Sequence, residues 1–284
     1  MRMSGGLAAA LDRGTAMGAD AIQLFTQNAR AWRATNHDPE VLKAFRGRQA
    51  HSPTVRATYC HATYLINLAS PAAEVYERSR ACLASNLAVA SAIGSAGLVL
   101  HVGSHLGEGL AASLSRIVEA LAASLEASGG ACPILLENTA GAGGSIGRSF
   151  DELAAVISAA GGDRRLGICL DTQHLWAAGA SYATLEEADA LVSELDACVG
   201  LDRLACLHLN DSKVGRGAAR DRHENLGAGT IGGQALGHLL GHPRLQHLPA
   251  ILEVPGEEGH GPGPRDLAAA RAIHAAGLAR WRRG

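Results

Sequence analysis

Seven short apolar runs punctuate the chain, each bounded by glycine or polar residues: Ala21 to Phe25, Val55 to Cys60, Leu98 to Leu100, Ile134 to Leu136, Leu166 to Leu170, Leu204 to Leu207 and Ala250 to Leu252. Continuous apolar character over so few residues is the pattern of strands buried on both faces of a parallel sheet. Longer segments with recognisable helical starts lie between them. Ser70-Pro71 offers an N-cap followed by proline at the first helical position. Ser149-Phe-Asp-Glu152 and Thr184-Leu-Glu-Glu187 have capping-box spacing, in which a hydroxyl and a carboxylate three residues on satisfy each other's backbone amides.

Strand and helix therefore alternate, and no Gly-rich dinucleotide fingerprint follows the first strand. This predicts an α/β fold of the TIM (β/α)8 type rather than a doubly wound sheet. Such a barrel has eight strands. Residues Ser4 to Gly18 already read as the first helix, so the first β-strand is expected to be missing. A start codon upstream of the assigned one would account for this, whereas a true truncation would leave two unpaired strand edges. No linker or low-complexity segment interrupts the chain, so residues 1–284 read as one barrel domain.

Composition narrows the class. A hydrophobic share of 47% with only 4% aromatic residues suits layered helix-on-sheet packing. Of the 25 basic residues only Lys43 and Lys213 are lysine, and with 35 glycines this resembles drift toward G+C-rich DNA. Arginine abundance is thus no argument for nucleic-acid binding, and a formal charge of −2 announces no polyanionic partner. Cys60, Cys82, Cys132, Cys169, Cys198 and Cys206 form no Cys-x-x-Cys pair, as expected of reduced thiols in a cytoplasmic protein. The uncharged stretch Ala81 to Gly107 is broken too often by Ser, Asn and Gly for a membrane span, and the N-terminus Met-Arg-Met-Ser-Gly-Gly carries no apolar signal core.

The chemistry lies at the strand ends. The last six strands are followed by His61, His101, Glu137, Asp171, His208 and Glu253, spaced 34 to 45 residues apart, about one βα unit each. Six such side chains in register should converge at the C-terminal mouth of a barrel, where these folds place their active sites. Three histidines with three carboxylates give mixed nitrogen and oxygen ligation, which suits zinc or another borderline divalent ion better than magnesium. His174 lies three residues after Asp171, and Asp221-Arg-His223 follows the seventh strand. Nine candidates exceed one tetrahedral site. Shared by a bridging carboxylate they suit two or three ions, an arrangement that stabilises entering and leaving oxygens in phosphoryl transfer. Asp221 and His223 read equally well as a solvated loop pair.

The stretches His61-Ala-Thr-Tyr-Leu-Ile-Asn-Leu68, His101-Val-Gly-Ser-His105, Leu136-Glu-Asn-Thr-Ala-Gly141, Asp171-Thr-Gln-His174, His208-Leu-Asn-Asp-Ser-Lys213 and Asp221-Arg-His-Glu-Asn-Leu-Gly227 resemble the endonuclease IV family from Ser4 onward. All nine ligand positions of that family carry the expected residue type. Val102 and Gln173 stand where the family has proline and usually cysteine, and of the family's Gly-x-His-x-Ser segment only the tail Ser4-Gly5-Gly6 is present.

The resemblance implies three zinc ions: one on His61, His101 and Glu137, a second on Glu137, Asp171, His208 and Glu253, a third on His174, Asp221 and His223. Glu137 would bridge two of them and be the catalytic carboxylate, with no nucleophilic Ser or Cys required. The implied substrate is duplex DNA with an abasic site, cut on its 5′ side to leave a 3′-hydroxyl, with 3′-phosphatase and 3′-diesterase activity beside it, as in DNA repair. Asn28, Arg30, Trp32, Tyr64 and Leu65 would enter the minor groove and Arg222 would meet the backbone; Tyr64 and Leu65 could alternatively fill the core. The implied protein is a monomer with no membrane partner.

Two rivals remain open. A metal-dependent sugar isomerase or epimerase on a related barrel generally needs fewer metals, and Asp221-Arg-His223 and the Arg30 to Trp32 loop speak against it. An inactive DNA-binding remnant is opposed by the presence of all nine ligands.

Overall fold

The computed structural model describes residues 4–283. The helix read at Ser4 to Gly18 is α1 (Gly6–Ala16). Then follow β1 (Ala21–Phe25), α2 (Pro39–Ala50), β2 (Ala57–His61), α3 (Ala73–Ala92), β3 (Leu98–Leu100), α4 (Leu110–Ala127), β4 (Ile134–Glu137), α5 (Phe150–Ala159), β5 (Leu166–Asp171) and α6 (Thr172–Ala178). The chain continues through α7 (Leu185–Cys198), β6 (Leu204–Leu209), β7 (Asp211–Ser212), β8 (His223–Glu224), α8 (Gly232–Leu240), β9 (Ala250–Leu252) and α9 (Pro264–Trp281). All seven apolar runs are strands. The two-residue hairpin β7–β8 has no counterpart in the hydrophobic pattern, because so short an antiparallel pair carries no periodicity. The N-terminal reading rests partly on residues 1–3, which lie outside the described residues. No described helix is long and apolar enough to cross a membrane.

Contacts divide the chain into two compact units. The first comprises Met1–Glu137, Gly143–Gly147 and Glu152–Ile168. In it β1, β2, β3 and β4 pair in parallel in chain order, with Phe25 opposite His61, His61 opposite Val99 and Leu100 opposite Leu136. The start of β5 adjoins β4 through the Ile134 amide, which donates to the Arg165 carbonyl (3.0 Å). The second unit comprises Asn138–Ala142, Arg148–Asp151 and Cys169–Gly284. It holds the end of β5, then β6 and β9, the last two parallel with His208 opposite Ile251 and Leu209 opposite Leu252. Seven parallel strands are present among the described residues, one fewer than eight.

Both faces of these strands are covered, as their unbroken apolar character requires. Leu24, Cys60, Leu98, Val99, Leu100, Ile134 and Leu136 in the first unit, and Ile168, Cys169 and Cys206 about β5 and β6, are sealed from solvent. Each fully buried Leu, Ile or Val stabilises the fold by about 1.5–3 kcal/mol. None of the six cysteines, all among the described residues, is in a disulfide, and five are buried. Burial pushes the Cys60 and Cys132 thiols up to about 12, so they stay protonated and pack as small hydrophobes.

The helix starts are partly as expected. Thr184 and Glu187 form the reciprocal capping box. The Ser70-Pro71 start is displaced: α3 begins at Ala73 with no side-chain cap, because Ser70 Oγ instead accepts from the Ala72 amide in a turn ahead of the helix. In the second unit α8 and α9 cross so closely that a Cβ on Gly277 would lie 2.0 Å from the Gly237 carbonyl oxygen, a contact only glycine permits.

His242 closes the far end of that helix pair. The Arg244 amide donates to its Nδ1 (3.2 Å), so its Nε2 carries the proton and donates to Asp189 Oδ1 (3.2 Å), while the ring packs edge-on to Trp281. Burial pushes this imidazole below its ordinary value, with Asp189 opposing in part. The folded chain thus prefers the neutral ring. The stability it contributes is complete above the unfolded value of about 6.5 and is lost as pH falls from there through the lower folded value. Melting temperature should therefore fall more steeply from pH 8 to 5.5 in the parent than in His242→Gln; equal slopes would refute the assignment.

Candidate metal centre

The strands deliver their ligand candidates at or beside their C-terminal ends. His61, Glu137 and Asp171 are the last residues of β2, β4 and β5, His101 and Glu253 come directly after β3 and β9, and His208 lies within β6. The structure thus lengthens β2, β4, β5 and β6 by one or two residues beyond their apolar runs, taking the polar ligands into the strand ends.

In the first unit His61, His101 and Glu137 present ligand atoms within 4.8 Å of one another. His61 Nδ1 sits 2.7 Å from the Ala62 carbonyl oxygen, which can only accept, so Nδ1 carries the proton. Its Nε2 then faces Glu137 Oε2 at 3.2 Å. His101 Nε2 lies 2.8 Å from that same oxygen. His61 and Glu137 are sealed from solvent. A lone pair aimed at a buried carboxylate is repulsive unless a cation, either a proton or a metal, sits between them.

The second unit repeats the device. His174 Nδ1 donates to the Asn138 carbonyl (2.9 Å) and His223 Nδ1 to the Glu253 carbonyl (3.4 Å). Their Nε2 atoms turn toward Asp221, at 3.3 Å from Oδ2 and 3.2 Å from Oδ1 respectively, with Asp171 Oδ2 3.7 Å from His223. His208 Nδ1 lies 3.2 Å from Glu253 Oε2 and 3.9 Å from Asp171 Oδ2. Asp171 therefore belongs to two groupings, one with His174 and His223 and one with His208 and Glu253.

These spacings suit metal ligation. Nitrogen and oxygen atoms at the corners of a tetrahedron with bonds of about 2.0–2.1 Å stand roughly 3.3 Å apart. His223 Nε2 is shut off from solvent and forms no hydrogen bond, although a carboxylate oxygen is only 3.2 Å away. That proximity is the spacing two ligands of one ion would have. The donor set fits transition-metal ions, and His223 joins Asp171 and His174 in one grouping while Asp221 stays half-exposed beside it.

The strand-end pattern passes over the amides and the carboxylate that hold this array, because none of them is the polar residue that ends an apolar run. Asn138 Oδ1 accepts from the Asp171 amide (2.6 Å) while its Nδ2 donates to the Asp171 carbonyl (3.1 Å). Asn210 Nδ2 donates to Asp171 Oδ2 (2.6 Å), and its Oδ1 accepts from the Glu253 amide (3.0 Å). Asp171 in turn caps α6 by accepting from the His174 amide (2.8 Å). Such partners orient ligands and fix their protonation. Asp211, fully buried, gathers the amides of Ser212, Gly227, Gly229, Ile231 and Gly232 around its carboxylate. A Cβ on Gly229 would lie 2.4 Å from Asp211 Oδ1, so the loop packs directly on it. Their one sequence signal was adjacency to the ligands, in Glu137-Asn138 and His208-Leu-Asn210-Asp211.

The candidate DNA-facing residues fall in two places. Asn28 and Arg30 are exposed and Trp32 half-buried in the loop after β1, where Asn28 Oδ1 accepts from the Arg30 amide (2.9 Å). The Tyr64 amide donates to the Ala29 carbonyl (3.0 Å), joining this loop to the one after β2. Tyr64 is 48% exposed with its ring 5.0 Å from that of His61, so it does not fill the core; Leu65 is half-buried. In the second unit Arg222 is exposed and donates to the Asp221 carbonyl (2.6 Å).

A family model for xylose isomerase-like TIM barrels matches residues 11–279, and the fold is of the TIM-barrel class. The probable endonuclease 4 of Methanoculleus marisnigri is 39% identical over 257 residues, covering 90% of this chain and 91% of that one. Its counterpart in Oleidesulfovibrio alaskensis is 43% identical over 266 residues, covering 92% and 88%. The crystal structure of endonuclease IV from Thermus thermophilus superposes with a TM-score of 0.81 at 34% identity, covering 97% of this chain and 95% of that one. Within the xylose isomerase-like barrels, this chain belongs to the endonuclease 4 family.

The Asp211 hub makes a direct prediction. Asp211→Asn removes the charge and one of the two carboxylate acceptors, and should cost about 1.5–3 kcal/mol in urea unfolding. Amide exchange at Gly227, Gly229 and Ile231 should rise with it; unchanged exchange there would contradict the role assigned to Asp211.

Proposed function

We propose that this chain is a DNA-repair endonuclease of 284 residues in one barrel domain, hydrolysing the phosphodiester 5′ to an abasic site in duplex DNA to leave a 3′-hydroxyl. Trimming of blocked 3′ ends, as phosphatase and diesterase, would use the same site. Support comes from the family membership and from one observation above all: buried imidazoles whose Nδ1 protons are committed to carbonyls turn their Nε2 atoms toward carboxylates.

Three zinc ions per chain are the cofactors of this reading. His61, His101 and Glu137 would hold one, Glu137, Asp171, His208 and Glu253 a second, and His174, Asp221 and His223 the third. Such ions would supply concentrated positive charge for phosphate oxygens and make water acidic enough to be a nucleophile near neutral pH. They would also raise the formal charge by six, from −2 to about +4 before any bound anion, which gives an overall acidic chain a focus for phosphate.

The chain's own residues set the geometry. Glu137 is the proposed catalytic carboxylate, offering two oxygens to two sites. Asn210 restrains Asp171 by donating to its Oδ2, leaving Oδ1 to cap α6. Tyr64 and Leu65, with Asn28, Arg30 and Trp32, would wedge into the minor groove beside His61 and His101, where a sugar without a base is cheapest to unstack. Arg222 would meet a phosphate. The protein would act as a monomer in the cytoplasm, without a membrane partner.

The test joins composition to activity. Purified protein should carry close to three zinc ions and cleave an abasic-site duplex but not its undamaged counterpart. Glu137→Gln should lower that cleavage by about 100-fold or more. Full activity in Glu137→Gln would sink the bridging role, and a metal-free chain that cleaves as fast would sink the mechanism.

A further inference from the structure

The loop bearing Asp221 has little packing to fix it. Between β7 and β8 most of residues 213–222 are exposed, and the Asp221 side chain itself is 53% accessible. Ala219 in this loop holds a left-handed backbone (φ 51°), a conformation costly for a residue with a Cβ. Something must hold the segment in that shape.

Gln173, on the first turn of α6 and completely buried, reaches it. Its Nε2 donates to the Arg220 carbonyl (3.0 Å), the residue before Asp221, and to Ser212 Oγ (3.1 Å), opposite His223 in the β7–β8 pair. The orientation of the amide is unambiguous. A carbonyl only accepts, and Ser212 Oγ gives its own proton to the Val214 carbonyl (2.8 Å), so both partners need a donor. Gln173 Oε1, by contrast, is buried without a hydrogen-bond partner.

We propose that Gln173 is a positioning residue: by clamping Arg220 and Ser212 it places Asp221 and His223 opposite His174, and so sets the affinity of the ion those three would share. This rests on the metal reading above and adds to it a residue that touches neither metal nor DNA. Backbone bonds from Gly217 to Trp176 and from Ala219 to Ala177 also dock the loop on α6, but they end two residues short of Asp221.

Two variants test it. Gln173→Met keeps the volume without the donor; Gln173→Glu keeps the shape but faces both acceptors with a carboxylate. Zinc affinities are read by chelator competition on the loaded protein, and backbone amide exchange of residues 213–222 on the metal-free protein. In both variants one ion of the three should be held about 10–100-fold more weakly, the others unchanged, and exchange at Lys213, whose amide donates to the Arg222 carbonyl, should quicken. Parent affinities for all three ions in Gln173→Met, or equal loss of all three, would overturn the proposal. If the parent itself binds fewer than three ions, the metal reading fails on its own, and unchanged exchange at 213–222 in the variants would still refute the clamp.

Discussion

A neutral imidazole has one proton and one lone pair, and here the proton is spent in advance. His61, His174 and His223 each give Nδ1–H to a main-chain carbonyl, on Ala62, Asn138 and Glu253. The backbone at the strand ends thereby decides which nitrogen remains, and that nitrogen is turned toward Glu137 or Asp221. Where both partners are buried, as in His61 and Glu137, such an arrangement is stable only with a cation between them. Much else follows: why Asn138 and Asn210 must grip Asp171 on its backbone and its carboxylate, and why hydrogen bonds rather than apolar contacts hold this layer together.

Much of this was legible in the sequence because both kinds of pattern are local. An unbroken apolar run ending in a polar residue announces both a buried strand and the side chain it delivers, so His61, His101, Glu137, Asp171, His208 and Glu253 could be found by inspection. Strand limits erred by a residue or two at the ligands, since a polar residue looks like the end of a run even where pairing continues, as at Glu137 and Asp171. The Ser70-Pro71 helix start failed because a serine can close a turn ahead of a helix as readily as cap it.

What stayed hidden depends on contacts distant in sequence. Asp211 organises amides 16 to 21 residues away, and its place three residues after the ligand candidate His208 says nothing of those partners. For Tyr64 the sequence left core packing open beside a groove-facing role, and only the fold shows its ring exposed against His61, because an aromatic side chain can pack one face on an imidazole and leave the other to solvent. Gln173 is similar: its amide matters only through the orientation that Ser212 and Arg220 impose.

The claim that these nitrogens and carboxylates converge on metal ions is tested most directly by anomalous diffraction at the zinc edge from crystals grown with zinc. Three anomalous peaks are predicted, one against His61 and His101, one against His208 and Glu253, and one against His174 and His223. Peaks at other residues, or none at these, would contradict the account.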